Sequence, residues 1–260
     1  MTDSGVSRCL AGIRERSLAI AGVVRRLSSE QWEGSTNCPP WRVSELATHI
    51  LTSGQGFVRS IRRGLDGVVE PVSGAVHAVE GGPPEVAEAL VRVTDEFEAL
   101  YDGLLDAQLE TICFHRRGNR SIRWYAAHRL AEVTFHGWDL DVSLGNPAAV
   151  DSAVALLLLP MLLESNVPRT YAAGLSAERG RGERFLVCLE GDRSAQWLVT
   201  IGPEALLVTR GDAPADLTIT ADAPTLALLV YGRADLASCG AKLDGDLGLV
   251  ERFARIFPRP

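Results

Sequence analysis

The spacing of apolar positions changes character part-way along the chain, from a helical period to a strand period. Over residues 4–27, Val6, Leu10, Ile13, Ile20, Val24 and Leu27 recur at steps of three, four and seven, which predicts a helix with one core-facing stripe. A second helix is predicted over 42–63, with Val43, Leu46, Ile50, Phe57 and Ile61 inside. Pro39-Pro40 forbids helix just before Trp41 and sets a sharp entry to it. Gly54 and Gly56 weaken this second helix beyond His49 and leave room for another segment to approach. A third helix is predicted over 85–105 and a fourth over 125–140, the latter opened by a cap at Ser121. Residues 64–84, rich in Gly, Val and Pro, read as a long loop, either a lid or a disordered connection.

Gly145-Asn146-Pro147 breaks the pattern. A helix is predicted over 148–165 and an irregular loop over 166–182. Then R-F-L-V-C-L-E, Q-W-L-V-T-I, A-L-L-V-T-R and L-T-I-T follow as short β-rich runs separated by Gly, Asp and Pro, which predicts an antiparallel meander. Asp222 with Pro224 marks the start of a helix reaching about 231, a short strand is expected near 241–243, and Asp246 caps a last helix over 247–257. The expected fold is therefore α+β: a four-helix bundle over 1–147, then a smaller α+β domain with an antiparallel sheet over 148–260.

Composition narrows the partners. A net charge of −7 and a pI of about 5.3 argue against nucleic acid, which needs a concentrated basic surface. The longest apolar run, 153–163, is interrupted by Pro160 and too short to span a bilayer, so no membrane is expected. Five cysteines, an odd number without a C-x-x-C, fit a reducing compartment, and residues 1–17 lack a signal-peptide apolar segment. The expected location is cytoplasmic, as a monomer or homodimer.

The candidate chemistry lies on the fourth helix. Glu132 and His136 are four residues apart and share a face, Asp139 follows three later, and Tyr125 and His128 precede them on the same line. A carboxylate and an imidazole at the edge of a core need partners, and a divalent metal is one. A solvated Glu–His pair is the other reading. His49, at the edge of the apolar face of the second helix, is a core histidine or a third ligand from a facing helix. Three protein ligands leave an open coordination position, as catalytic metals require. Cys38 has no assignable His or acid partner and is not expected to act as a nucleophile; His115 is given no role.

C-P-P-W-R-V-S-E-L-A-T-H-I from Cys38 and H-R-L-A-E-V-T-F-H-G-W-D-L from His128 resemble the mycothiol-dependent maleylpyruvate isomerase family of DinB-like metalloenzymes. G-E-R-F at Gly182, A-D-L-T-I-T at Ala215 and Y-G-R at Tyr231 extend the resemblance over nearly the whole chain. It implies a bundle holding one divalent metal, usually zinc, through His49, Glu132 and His136. It implies that Asp139 serves the thiol cofactor, mycothiol, or supports the site, and that an arginine of the C-terminal domain matters, for which Arg233 is the candidate. The implied enzyme presents mycothiol as a metal-bound thiolate to a small electrophile, as an S-transferase or as an isomerase by reversible addition. A transferase is preferred, because acting on maleylpyruvate needs a cationic pocket for two carboxylates and no second arginine is placed there. Arg129 is expected to make a surface ion pair instead. A metal-dependent hydrolase, with Asp139 as base, and a non-enzymatic ligand-binding module are the alternatives.

Overall fold

The computed structural model describes residues 3–71, 81–146 and 148–257, and the central part of the expected loop over 64–84 lies outside them. The chain divides into two compact units, residues 1–149 and 150–260.

In the first unit the long helices are α1 (Asp3–Val24), α3 (Val43–Leu65), α4 (Pro83–Ala99) and α6 (Ile122–Ser143). Two single-turn helices, α2 (Ser29–Trp32) and α5 (Asp106–Leu109), lie in the connections. Both α1 and α3 pack against both α4 and α6. The apolar stripes meet there: Ile13, Val24, Leu46, Ile50, Leu90, Phe97, Leu130 and Val133 are fully or nearly fully buried. The third helix stops at Ala99, short of the expected end at 105, because the chain turns through Gly103 at φ 73°, where a residue without a Cβ is favoured. The link that follows forms a two-stranded antiparallel ribbon, β1 (Ile112–Cys113) with β2 (Arg120–Ser121). Ser121 caps α6 as anticipated, its Oγ accepting from Trp124 N at 3.4 Å.

The second unit opens with α7 (Ser152–Met161), capped by Asp151. A turn of π-helix (Leu162–Asn166) leads into α8 (Val167–Ala172). The helical path thus continues beyond 165, where a loop was expected. Pro168 does not stop it: it falls just after the π turn, and its neighbours Val167 and Tyr171 are buried.

Strands β3 (Glu183–Leu189), β4 (Gln196–Ile201), β5 (Leu206–Arg210), β6 (Leu217–Ala221) and β7 (Lys242–Gly245) form one sheet in the order β5-β4-β3-β6-β7. The sheet is mixed and not antiparallel throughout: β3 and β6 run parallel, with Phe185 opposite Leu217 and Leu189 opposite Ala221. The reason lies in the link over 211–216. It brings the chain back from one edge of the sheet to the far side of β3, and Ala213 and Ala215 pack on Leu186, Cys188 and Leu198 as it passes. Helix α9 (Ala223–Val230) is capped by Asp222, and α10 (Leu249–Ile256) docks Phe253 edge-on against Phe185 at 5.2 Å.

Candidate metal centre

The polar line of α6 is real and turned inward. Tyr125, His128, His136 and Asp139 are all buried, and the Glu132 side chain is 12% exposed. A solvated Glu–His pair is therefore not what the chain builds. From the facing helix α3, His49 Nε2 comes to 3.4 Å from Glu132 Oε2, and His136 Nε2 lies 3.9 Å from the same oxygen. One donor atom from each of the three residues falls within 4.8 Å of the others. Donors bound tetrahedrally to zinc at about 2.0–2.2 Å stand roughly 3.4 Å apart. The three residues, spaced somewhat more widely than that, could hold one small cation, and two imidazoles with a carboxylate are suitable donors for it. The His49 side chain is 30% exposed, so the cluster is open to solvent on that side.

Asp139 stands behind His136. Its Oδ2 lies 3.0 Å from His136 Nδ1, and its Oδ1 accepts from Asn37 Nδ2 at 3.1 Å. With Nδ1–H donating to the carboxylate, Nε2 keeps its lone pair directed at Glu132 and His49. Asp139 is fully buried behind His136. The segment ahead of α3 supplies both Asn37 and Trp41. Thr36 Oγ1 donates to Trp41 O at 2.8 Å and Trp41 N to Cys38 O at 3.0 Å, which sets the indole against His49 with ring centroids 4.6 Å apart.

Burial alone would raise the Glu132 pKa. The hydrogen bond with His49 and the fields of His136, His128 and His49 more than reverse it, holding the carboxyl well below the usual carboxylate range. His128 borders the other oxygen, with Nε2 3.9 Å from Oε1. Arg129 is not on the surface. It is 1% exposed, and burial pushes its pKa down to about 10 against the opposing pull of Glu132. Its Nη1 donates to Ile50 O at 2.8 Å and to Ser53 Oγ at 3.1 Å. The guanidinium occupies the space over Gly54, where an added Cβ would stand 2.8 Å from Nη2. The expectation of a close approach at that glycine is met, by an arginine. Gly137 plays the same part for Arg16, whose Nη2 reaches Asp141 at 2.6 Å.

Sequence reasoning missed Asn37, Trp41 and the place of Arg129; the Pro-Pro turn and Gly54 were the signals present. It also left Cys38 without partners, whereas its sulfur lies within 4.8 Å of donor atoms of His136 and Asp139. Arg233 belongs to the second unit, in the turn after α9, with its guanidinium 5.3 Å from the Tyr231 ring centroid. Asp246 accepts from Gly248 N at 2.9 Å ahead of α10.

A family model described as the mycothiol maleylpyruvate isomerase N-terminal domain matches residues 13–141. The first unit belongs to that family. Among solved structures, the chain is similar to a crystal structure of the mycothiol-dependent maleylpyruvate isomerase and to one of its histidine-to-alanine variant. The TM-scores are 0.63 and 0.65, each at 11% identity over 93% of this chain and 94% of the other. At that identity the likeness is one of fold. No curated protein matches by sequence. His49, Glu132, His136 and Asp139 all lie within the matched mycothiol maleylpyruvate isomerase N-terminal domain.

Proposed function

We propose that this chain is a metal- and mycothiol-dependent enzyme that joins a thiol to an electrophilic small molecule, as an S-transferase or as an isomerase that later releases the thiol. The observation that carries the reading is the convergence of His49, Glu132 and His136 within 4.8 Å inside a domain of this family. The four long helices serve as a DinB-like bundle that presents these residues from α3 and α6. A divalent ion, zinc by the donor set, supplies a positive charge that lets a thiol ionise near neutral pH.

The residues of the chain do the rest. Glu132 and the two imidazoles hold the ion, and Asp139 with Asn37 fixes the face that His136 presents. The open side at His49 admits the thiol and the electrophile. The thiol gives its proton to solvent or a nearby base, and its sulfur bonds to an electrophilic carbon of a conjugated double bond as the π bond opens and its electron pair passes to the conjugated carbonyl oxygen. In a transferase a proton then adds to the opened system and the thiol stays on the product; in an isomerase the C–S bond breaks after rotation and the pair re-forms the double bond. Arg233 is the proposed contact for a negatively charged substrate group. A hydrolase is less well supported, because Asp139, its expected base, is sealed behind His136. The reducing interior expected from the cysteines is a suitable place for such chemistry, and no helix among the described residues is long and apolar enough to cross a membrane.

The test is to load the protein with cobalt and titrate mycothiol into wild type and His49→Ala. A thiolate-to-cobalt absorption band that appears in wild type and not in the variant supports the reading. A bound metal that does not respond to the thiol contradicts it.

A further inference from the structure

Among the described residues Arg129 is the largest fully buried side chain. Burying a cation costs several kcal/mol unless something compensates, and an apolar residue of similar volume would fill the space at lower cost. What surrounds Arg129 shows where it acts. Its Nη1 bonds to Ile50 O, one residue from His49, and to Ser53 Oγ, which itself donates to Ile50 O at 3.1 Å. Gly54 is the residue that lets it in. On its own helix it stands one turn before Glu132, whose charge attracts it. Its Nη2 has no hydrogen-bond partner among the described residues, so its donors are not fully used and its place is set by position as much as by bonding.

From this geometry we propose that Arg129 is a positioning residue for the metal centre: it ties the turn of α3 that carries His49 to the turn of α6 that carries Glu132, and it places a fixed positive charge behind that carboxylate. The inference rests on the proposed metal function. Without Arg129 the two helices keep their apolar contacts but lose the polar tie that fixes the His49–Glu132 spacing.

The test uses the full chain as Arg129→Met, Arg129→Lys and Gly54→Ala, each checked for folding by circular dichroism. Cobalt affinity is measured by competition with a chelating dye, and the d–d absorption band reports ligand geometry. Folded Arg129→Met should bind cobalt about 10–100-fold more weakly, the range for lost outer partners of metal ligands, with an altered band. Arg129→Lys should recover part of the loss, because it keeps the charge. Gly54→Ala should weaken binding in the native background and have little effect once Arg129→Met is present, which a purely structural role would not produce. Wild-type affinity and band in Arg129→Met overturn the proposal. Should that variant fail to fold, Gly54→Ala decides, since it displaces the guanidinium without removing it. Should the wild type bind no divalent ion, the function reading fails by itself. Arg129 is then judged on the metal-free protein by the 1H–15N signals of the His49 ring. Signals shifted in the variant support the tie, and unmoved ones overturn it.

Discussion

Two arginines cross from one long helix to a glycine on its neighbour, and they end differently. Arg16 passes over Gly137 and closes on Asp141, with 29% of its side chain still in solvent. Arg129 passes over Gly54, is 1% exposed, and meets a carbonyl and a hydroxyl in place of a carboxylate. The first is a helix clamp with its own counter-ion, of a kind that contributes little net stability. The second feels the charge of Glu132 without an ion pair in the described structure, and the proposal places its effect there. One local device, an arginine seated on a glycine, thus gives packing in one place and charge placement in the other.

The largest expected effect removes the carboxylate that Arg129 backs. Glu132→Gln should weaken zinc or cobalt binding by more than about 100-fold, beyond the range for an outer partner, as read by competition with a chelating dye. Asp139→Asn comes next, with a loss of about 10–100-fold, because the amide no longer accepts the His136 proton as a charged group would. Asn37→Ala, which frees only one Asp139 oxygen, should fall below it in the same assay.

The glycines sharpen the comparison directly. Gly54→Ala should lower unfolding free energy by about 1–3 kcal/mol, since the buried Arg129 has nowhere to move. Gly137→Ala should cost less, about 1 kcal/mol, because Arg16, with 29% of its side chain in solvent, can swing outward and give up a part-buried pair. Urea denaturation measures both, and equal costs would erase the distinction.

The pH dependence has a definite sign. Glu132 titrates lower in the folded chain than its ordinary value of about 4.3. Its stabilising contribution is therefore complete above the unfolded pKa and disappears as pH falls through the folded one. Metal-free wild type should lose urea resistance below about pH 4.5 more steeply than Glu132→Gln does.

The smallest effect concerns the thiols. Burial pushes Cys9 up to about 12 and Cys113 up to about 11, and raises Cys188 as well. At pH 8 an aromatic disulfide reagent should react with the half-buried Cys38 and Cys239 and leave the other three slow until the protein unfolds.

Much of this was legible in the chain. The three-and-four spacing marks α1, α3 and α6, and the i,i+4 step from Glu132 to His136 puts two donors on one face. Gly54 announced a close approach. What approached was not readable, because an arginine on a helix is by default a surface residue, and only the packing of α6 on α3 shows Arg129 turned inward. Asn37 and Cys38 stand about a hundred positions from the residues they serve, a relation set by the turn ahead of α3 and by nothing in the local pattern. The parallel pairing of β3 with β6 was hidden for a similar reason: strand runs state their period, not their order, and the short link over 211–216 decides it.

The most direct test of the central claim is a cobalt titration of wild type, His49→Ala and Glu132→Gln, followed by d–d absorption. The account predicts one ion per chain in wild type, an intense band of a four-coordinate site, and loss of both in each variant. Undiminished binding in His49→Ala or Glu132→Gln, or no binding in wild type, would contradict it.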